Sequence, residues 1–111
     1  MRLTHVLFLC GKARMRSPTT ADLVRTWPGI TSDFAGLSND ADERLGAEHL
    51  EAADLICVME GRQARRLQAL FPHLLRGKPV HVLNIPDRFS YGAADLIALL
   101  TARLTPILRR P

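Results

Sequence analysis

The sequence predicts an α/β protein, a doubly wound, four-stranded parallel sheet flanked by helices and built from residues 1–111 as a single domain. Three observations carry this. Val6-Leu7-Phe8-Leu9 and Leu55-Ile56-Cys57-Val58-Met59 are continuous apolar runs, the pattern of strands buried on both faces, rather than the alternation of half-exposed strands. Stretches with helical periodicity separate the strand-like runs, which is the alternation of βαβ units. The first run ends in Cys10, and six residues later Arg16-Ser17-Pro18 opens a helical turn. A loop between a buried strand and a helix N-terminus points backbone N–H groups and the positive end of the helix dipole at whatever sits there.

Leu3 to Leu9 is the first strand. Ser17 is expected to cap the next helix and Pro18 suits its first turn. Thr19 to Trp27 continue that helix with Ala21, Leu23 and Val24 inward, until Pro28-Gly29 ends it. Ile30 to Ala35 forms a second strand and Gly36 to Asp42 a polar loop. A helical stretch then reaches Ala53, with Leu45, His49 and Ala52 or Ala53 on one side and Gly46 as a point of interruption. Leu55 to Met59 is the third strand. Gly61 to Phe71 is a basic amphipathic helix with Ala64, Leu67, Leu70 and Phe71 inward, stopped by Pro72. Pro79 to Leu83 is the fourth strand, followed by a loop from Asn84 to Gly92. The last helix runs from Ala93 to Leu108, with Leu96, Ile97, Leu100, Leu104 and Ile107 on one stripe and Pro106 bending or fraying its final turn. Ligand crevices in such sheets open beyond the carboxyl ends of the strands. Cys10 and Asp87 each follow a strand, so both are expected on that edge.

Apolar residues make up 47% of the chain and charged residues 23%, ordinary globular usage, so a disordered chain is not expected. The net charge of +4 hides an asymmetry: residues 33–60 carry eight acids against Arg44 alone, leaving +11 for the rest. Solvated helix faces account for this more simply than a nucleic-acid surface, so nucleic acid is not an expected partner. The two cysteines suit a reducing, cytoplasmic setting, and Cys57 reads as a small core residue. The N-terminal apolar run is too short, and too closely followed by Lys12, Arg14 and Arg16, for a signal peptide. No run reaches membrane-spanning length, so no membrane role is expected. His5, His49, His73 and His81 have no ligand spacing, and neither a metal nor another cofactor is expected.

A cysteine facing a helix N-terminus and a guanidinium is favoured as the thiolate, and the same positive field favours a dianion. Cleaving a phosphate monoester at such a cysteine requires a nucleophile, donors for the equatorial oxygens and an acid for the leaving oxygen. Cys10 is the candidate nucleophile. The backbone N–H groups of Gly11, Lys12, Ala13, Arg14, Met15 and Arg16 are the candidate cradle, and Ser17 is placed to hydrogen-bond the sulfur. Arg16 adds a planar fork matched to two phosphoryl oxygens. Asp87 is the candidate general acid. Phe89 and Tyr91 are candidate walls of the entrance, able to stack on an aromatic leaving group. The spacing of Cys10 and Arg16 says little alone. The register of strand, cysteine, loop, Arg-Ser-Pro and helix is what discriminates.

These residues together resemble the low-molecular-weight protein tyrosine phosphatase family, and more closely a short branch of it of about this length. The matching pieces, in order, are Val6 to Cys10 with Arg16-Ser17-Pro18; Phe34-Ala35-Gly36; Ala53 to Met59; and Ile85-Pro86-Asp87-Arg88-Phe89-Ser90-Tyr91. The resemblance implies a four-stranded parallel sheet, no metal, a phosphocysteine intermediate at Cys10, transition-state binding by Arg16 and proton donation by Asp87. It implies a phosphorylated protein or a small aryl phosphate as partner. The chain departs from the family at Lys12-Ala13, where members usually have Gly-Asn, at Met15, where many carry a second cysteine, and at Arg88, where proline usually follows the aspartate. Two other functions fit the same loop: a phospho-ligand-binding module without turnover, motivated by Ala13, and a cysteine phosphocarrier, against which Arg16-Ser17 argues. Thiol-coupled arsenate reduction ranks last, because it needs further reactive cysteines.

Overall fold

Strand and helix alternate throughout the computed structural model, which describes residues 3–12 and 14–108. In chain order the elements are β1 (Thr4–Cys10), α1 (Arg16–Val24), β2 (Ile30–Gly36), α2 (Ala47–Ala52), β3 (Leu55–Val58), α3 (Gly61–Leu70), β4 (Val80–Val82) and α4 (Ala94–Leu108). The strands are parallel and ordered β2-β1-β3-β4. After β1 the chain adds β2 on one side and then returns to add β3 on the other. The winding reverses between β1 and β3, and that reversal opens a crevice at their carboxyl ends.

The continuous apolar runs form the two central strands, and successive side chains point to opposite faces. Val6, Phe8, Cys10, Cys57 and Met59 pack on one face with Ala21 and Val24 of α1 and with Leu96, Leu100 and Leu104 of α4. Leu7, Leu9, Ile56 and Val58 pack on the other with Leu50 of α2 and Leu67 of α3. Burying each large side chain contributes about 1.5–3 kcal/mol, so both layers are needed to hold the sheet.

Local hydrogen bonds move several element boundaries from those the sequence suggests. Helix α1 starts at Arg16, so Ser17 lies inside it and caps nothing. It stops at Val24 rather than Trp27, where the Trp27 N–H turns back to the Val24 carbonyl and Gly29 takes a φ of 76°. Helix α2 keeps only six residues, because the segment before it is extended and paired: Gly36 donates to the Glu43 carbonyl at 2.7 Å and Leu45 to the Gly36 carbonyl at 2.9 Å. Leu50, absent from the expected inward set, is fully buried, and Ala53 rather than Ala52 is inside. In α3, Leu70 is half exposed instead of inward, while Gln63 is buried. The Lys78 ammonium donates to the carbonyls of Leu50, Glu51 and Ala53 at 2.6, 3.1 and 2.7 Å, satisfying the C-terminal end of α2. Helix α4 continues through Pro106 to Leu108.

Beyond β4, the N–H groups of Leu83 and Ile85 still reach the carbonyls of Val58 and Met59, each at 2.9 Å. Between them Asn84 adopts a φ of 57°, a left-handed conformation that asparagine tolerates and β-branched residues do not. Asn84→Val is therefore expected to destabilise the protein by about 1–2 kcal/mol and Asn84→Gly by much less. Urea titrations giving both variants the same midpoint would remove the conformational role.

Candidate active site

Cys10 is the last residue of β1 and 4% exposed, so its thiol opens only onto the carboxyl edge of the sheet. Its Sγ lies 3.1 Å from the Ser17 hydroxyl, which is fully buried. The carbonyls of Cys10, Gly11 and Lys12 accept N–H groups from Leu37, Ser38 and Asp42 at 3.0, 2.8 and 2.9 Å. Tying those oxygens to the loop after β2 turns the N–H of each trans peptide the opposite way. Among the described residues, the N–H groups of Gly11, Lys12, Arg14, Met15, Arg16 and Ser17 have no protein acceptor. They form an array of donors around the thiol, continuous with the N-terminus of α1. Ala13, expected in this cradle, lies outside the described residues.

Arg16 is 3% exposed and held from one side. Its Nη1 donates to Glu60 Oε1 at 2.5 Å and to the Ile85 carbonyl at 2.7 Å. Its Nε lies 3.6 Å from Asp87 Oδ1, and Nη2 has no partner among the described residues. The guanidinium is thus anchored by one nitrogen while two others remain for an anion. Cys10, Arg16 and Asp87 all line a crevice of about 320 Å³, as do Gly11, Lys12, Arg14 and Met15. The edge of the sheet has brought these candidates together.

The acidic segment supplies the loop with counter-charges, a use the sequence does not announce. Asp40 holds Lys12 Nζ at 3.3 Å, and both oxygens of Asp42 hold Arg14 Nε at 3.0 and 3.1 Å. These pairs are exposed, so they orient the loop's cations more than they stabilise the fold. Glu60 is the site residue that sequence reasoning missed. It follows β3 as Asp87 follows β4, and that shared position was the available signal. It accepts from Arg16 and also from Arg62, at 3.0 Å to Nε, and these bonds, Arg16 first, hold its carboxyl below the usual glutamate range.

Glu60→Gln is expected to cost about 2 kcal/mol at neutral pH, less than for a fully buried pair because the Glu60 side chain is 27% exposed. A lowered carboxyl pKa contributes stability that is fully present above the ordinary value of 4.5 and is lost as pH falls through the lower folded value. The gap between wild type and variant should therefore close in acid below that value. A gap unchanged from pH 7 into that range would contradict the ion pair.

Phe89 and Tyr91 do not wall this crevice. Phe89 is 8% exposed in the core beside α4, with the Arg88 guanidinium 4.7 Å above its ring. Tyr91 is exposed elsewhere, over α1, where its hydroxyl bonds Asp22, and that bond raises its pKa. Pro86 to Gly92 runs back over α1 and α4, so only Asp87 of the loop lines the crevice. Cys57 is fully buried, and burial pushes its thiol pKa up to about 12. Among the described residues no group of three or more histidine, cysteine, aspartate or glutamate side chains is placed to hold a metal, and no helix is long and apolar enough to cross a membrane.

No protein-family model matches the chain, and no curated protein matches it in sequence. Solved structures do match in shape. The Vibrio vulnificus Wzb complex with benzylphosphonate superposes with a TM-score of 0.76 at 19% identity, over 96% of this chain and 98% of that one. SP-PTP, a low-molecular-weight protein tyrosine phosphatase from Streptococcus pyogenes, gives 0.77 at 11% identity over 96% and 92%. The YwlE arginine phosphatase from Geobacillus stearothermophilus gives 0.70 at 19% over 96% and 93%. The match extends over nearly the full length of each, so this chain, with its all-parallel sheet ordered β2-β1-β3-β4, has the fold of the low-molecular-weight protein tyrosine phosphatases.

Proposed function

We propose that the chain is a cysteine-dependent phosphomonoesterase of the protein tyrosine phosphatase type, acting as one domain in the reducing cytoplasm on a phosphorylated protein or a small aryl phosphate. One observation carries the reading: the Cys10 thiol, bonded to Ser17, opens on the same crevice as an array of unpartnered N–H donors and the anchored guanidinium of Arg16. The Cys10 thiolate attacks phosphorus, forming the S–P bond as the ester P–O bond breaks. Gly11 to Arg16 N–H groups and the free nitrogens of Arg16 take the equatorial oxygens as charge builds on them. Asp87 gives its proton to the leaving oxygen. In the second half Asp87 takes a proton from the water that attacks phosphorus, the S–P bond breaks, and phosphate departs from a thiolate stabilised by the Ser17 hydroxyl.

Asp87 is 68% exposed and faces Arg16. The similar structures include tyrosine and arginine phosphatases, and among the described residues lining the crevice here there is no aromatic ring to select another. The phosphoryl group, rather than the leaving group, is therefore the feature this site recognises most strongly.

The test is hydrolysis of aryl phosphates, with acid quenching to trap radiolabelled phosphate on the protein. Label on Cys10 is expected, and label on another residue would sink the nucleophile assignment. Asp87→Asn should lower kcat about 100-fold or more on phenyl phosphate, whose leaving group needs a proton, and much less on para-nitrophenyl phosphate. Equal effects on both would remove Asp87 as the acid. Phosphate binding without turnover by the wild type would favour the non-catalytic binding module.

A further inference from the structure

A second hollow, of about 490 Å³, adjoins the candidate active site and shares Gly11, Ser38 and Arg62 with it. It lies between the loop after β2 and the first turns of α3, and no carboxylate is among the described residues lining it. Its charged lining is Arg62 and Arg66, and Arg66 has no carboxylate partner among the described residues. Asn39 lines it too, its Oδ1 already accepting from Arg44 at 2.9 Å, which leaves the amide N–H groups as donors.

Gln63 is the independent sign that something is to be received there. It is 3% exposed and is among the residues that line the hollow. Its Oε1 is consumed by the N–H groups of Met59 and Glu60 at 2.9 and 3.0 Å, which fixes which end of the amide is which. Its Nε2 is then a buried donor with no acceptor among the described residues. Leaving such a donor unmet is unfavourable, and an acceptor in the hollow removes the penalty once a turn of the Gln63 side chain opens the nitrogen to it.

We propose that this hollow is a second anion subsite, which receives a side-chain carboxylate of the same phosphopeptide that presents its phosphoryl group to Cys10. The inference rests on the phosphatase reading for the first anion, and it names the substrate class: phosphorylated segments with an acidic residue beside the phosphorylated one. Arg66 and Arg62 supply charge, Asn39 and Gln63 supply neutral donors, and Glu60 holds Arg62 at the boundary between the two anions.

The test uses hydrolysis-resistant peptides carrying phosphonomethyl-phenylalanine flanked by glutamate or by glutamine, titrated calorimetrically into the full chain. The glutamate peptide should bind the wild type about tenfold more tightly, the gain of one charge-assisted hydrogen-bonding partner. Arg66→Gln, at an exposed position, should reduce that preference to about twofold or less. Gln63→Glu keeps the acceptor for both N–H groups but turns the buried donor into an acceptor, and should invert the preference. Equal binding of the two peptides by the wild type, or an undiminished preference in Arg66→Gln, overturns the subsite. Preference without hydrolysis of the matching phosphotyrosine peptides defeats the phosphatase reading and leaves the subsite standing. Hydrolysis without preference does the reverse, and binding of neither peptide defeats both.

Discussion

Cys10→Ser is expected to lower kcat on para-nitrophenyl phosphate by at least about 10⁴-fold, because a serine hydroxyl is a far weaker nucleophile than a cysteine sulfur in the same place. The substitution swaps sulfur for oxygen in a position that is 4% exposed, next to a hydroxyl that can hydrogen-bond either atom. Folding and phosphate binding should therefore survive, since the N–H array and Arg16 are untouched. That combination separates a nucleophile from a structural thiol. A structural thiol would show its loss in thermal stability, with activity falling only in proportion to the unfolded fraction. Residual activity near the wild-type level, with a normal melting temperature, would end the assignment.

Arg16→Ala carries the second large effect, a fall in kcat/KM of about 10³-fold, at the upper end for removing one preorganised donor group from a developing anion. Arg16→Lys should recover little of it. A lysine keeps the charge but has one ammonium where the site uses three nitrogens separately: one toward Glu60 and the Ile85 carbonyl, one beside Asp87, one left open. The alanine variant also strips Glu60 of its buried partner, so stability must be measured alongside. A lysine variant with wild-type kcat/KM would mean that the site reads charge alone and that the fork geometry is irrelevant.

Much of this arrangement was legible in the residues, for identifiable reasons. Val6 to Leu9 and Leu55 to Val58 are apolar on both faces because helices cover both faces, so an unbroken run was sufficient to place them at the centre of the sheet. Cys10 and Arg16 were legible because a strand end and a helix start fix their positions almost independently of the rest. What failed to show depends on contacts between distant segments. Glu60 is one acid among eight in residues 33–60, and only the adjacency of β1 and β3 sets it beside Arg16. Phe89 and Tyr91 follow Asp87 closely, but the core beneath α4 and the surface of α1 draw them away from the crevice. Ser17 satisfied both the pattern of a helix cap and that of a thiol partner, and packing decided for the second. The shortened α2 reflects Gly36 pairing with Glu43 and Leu45, a contact that no local periodicity encodes.

The placement of Cys57 bears on how the protein meets oxidants. The chain has two cysteines, and the register of β1 with β3 sets Cys57 opposite Phe8, two residues behind Cys10. Strand spacing and rise put the two α-carbons roughly 8 Å apart, with the second thiol sealed in the core. Disulfides need α-carbons within about 7 Å. At Met15, on the crevice rim, a thioether stands in place of a thiol. A sulfenic acid formed at Cys10 by peroxide therefore meets no second thiol of its own chain. Its recovery depends on a small thiol such as glutathione entering the crevice before a further oxidation makes the loss permanent.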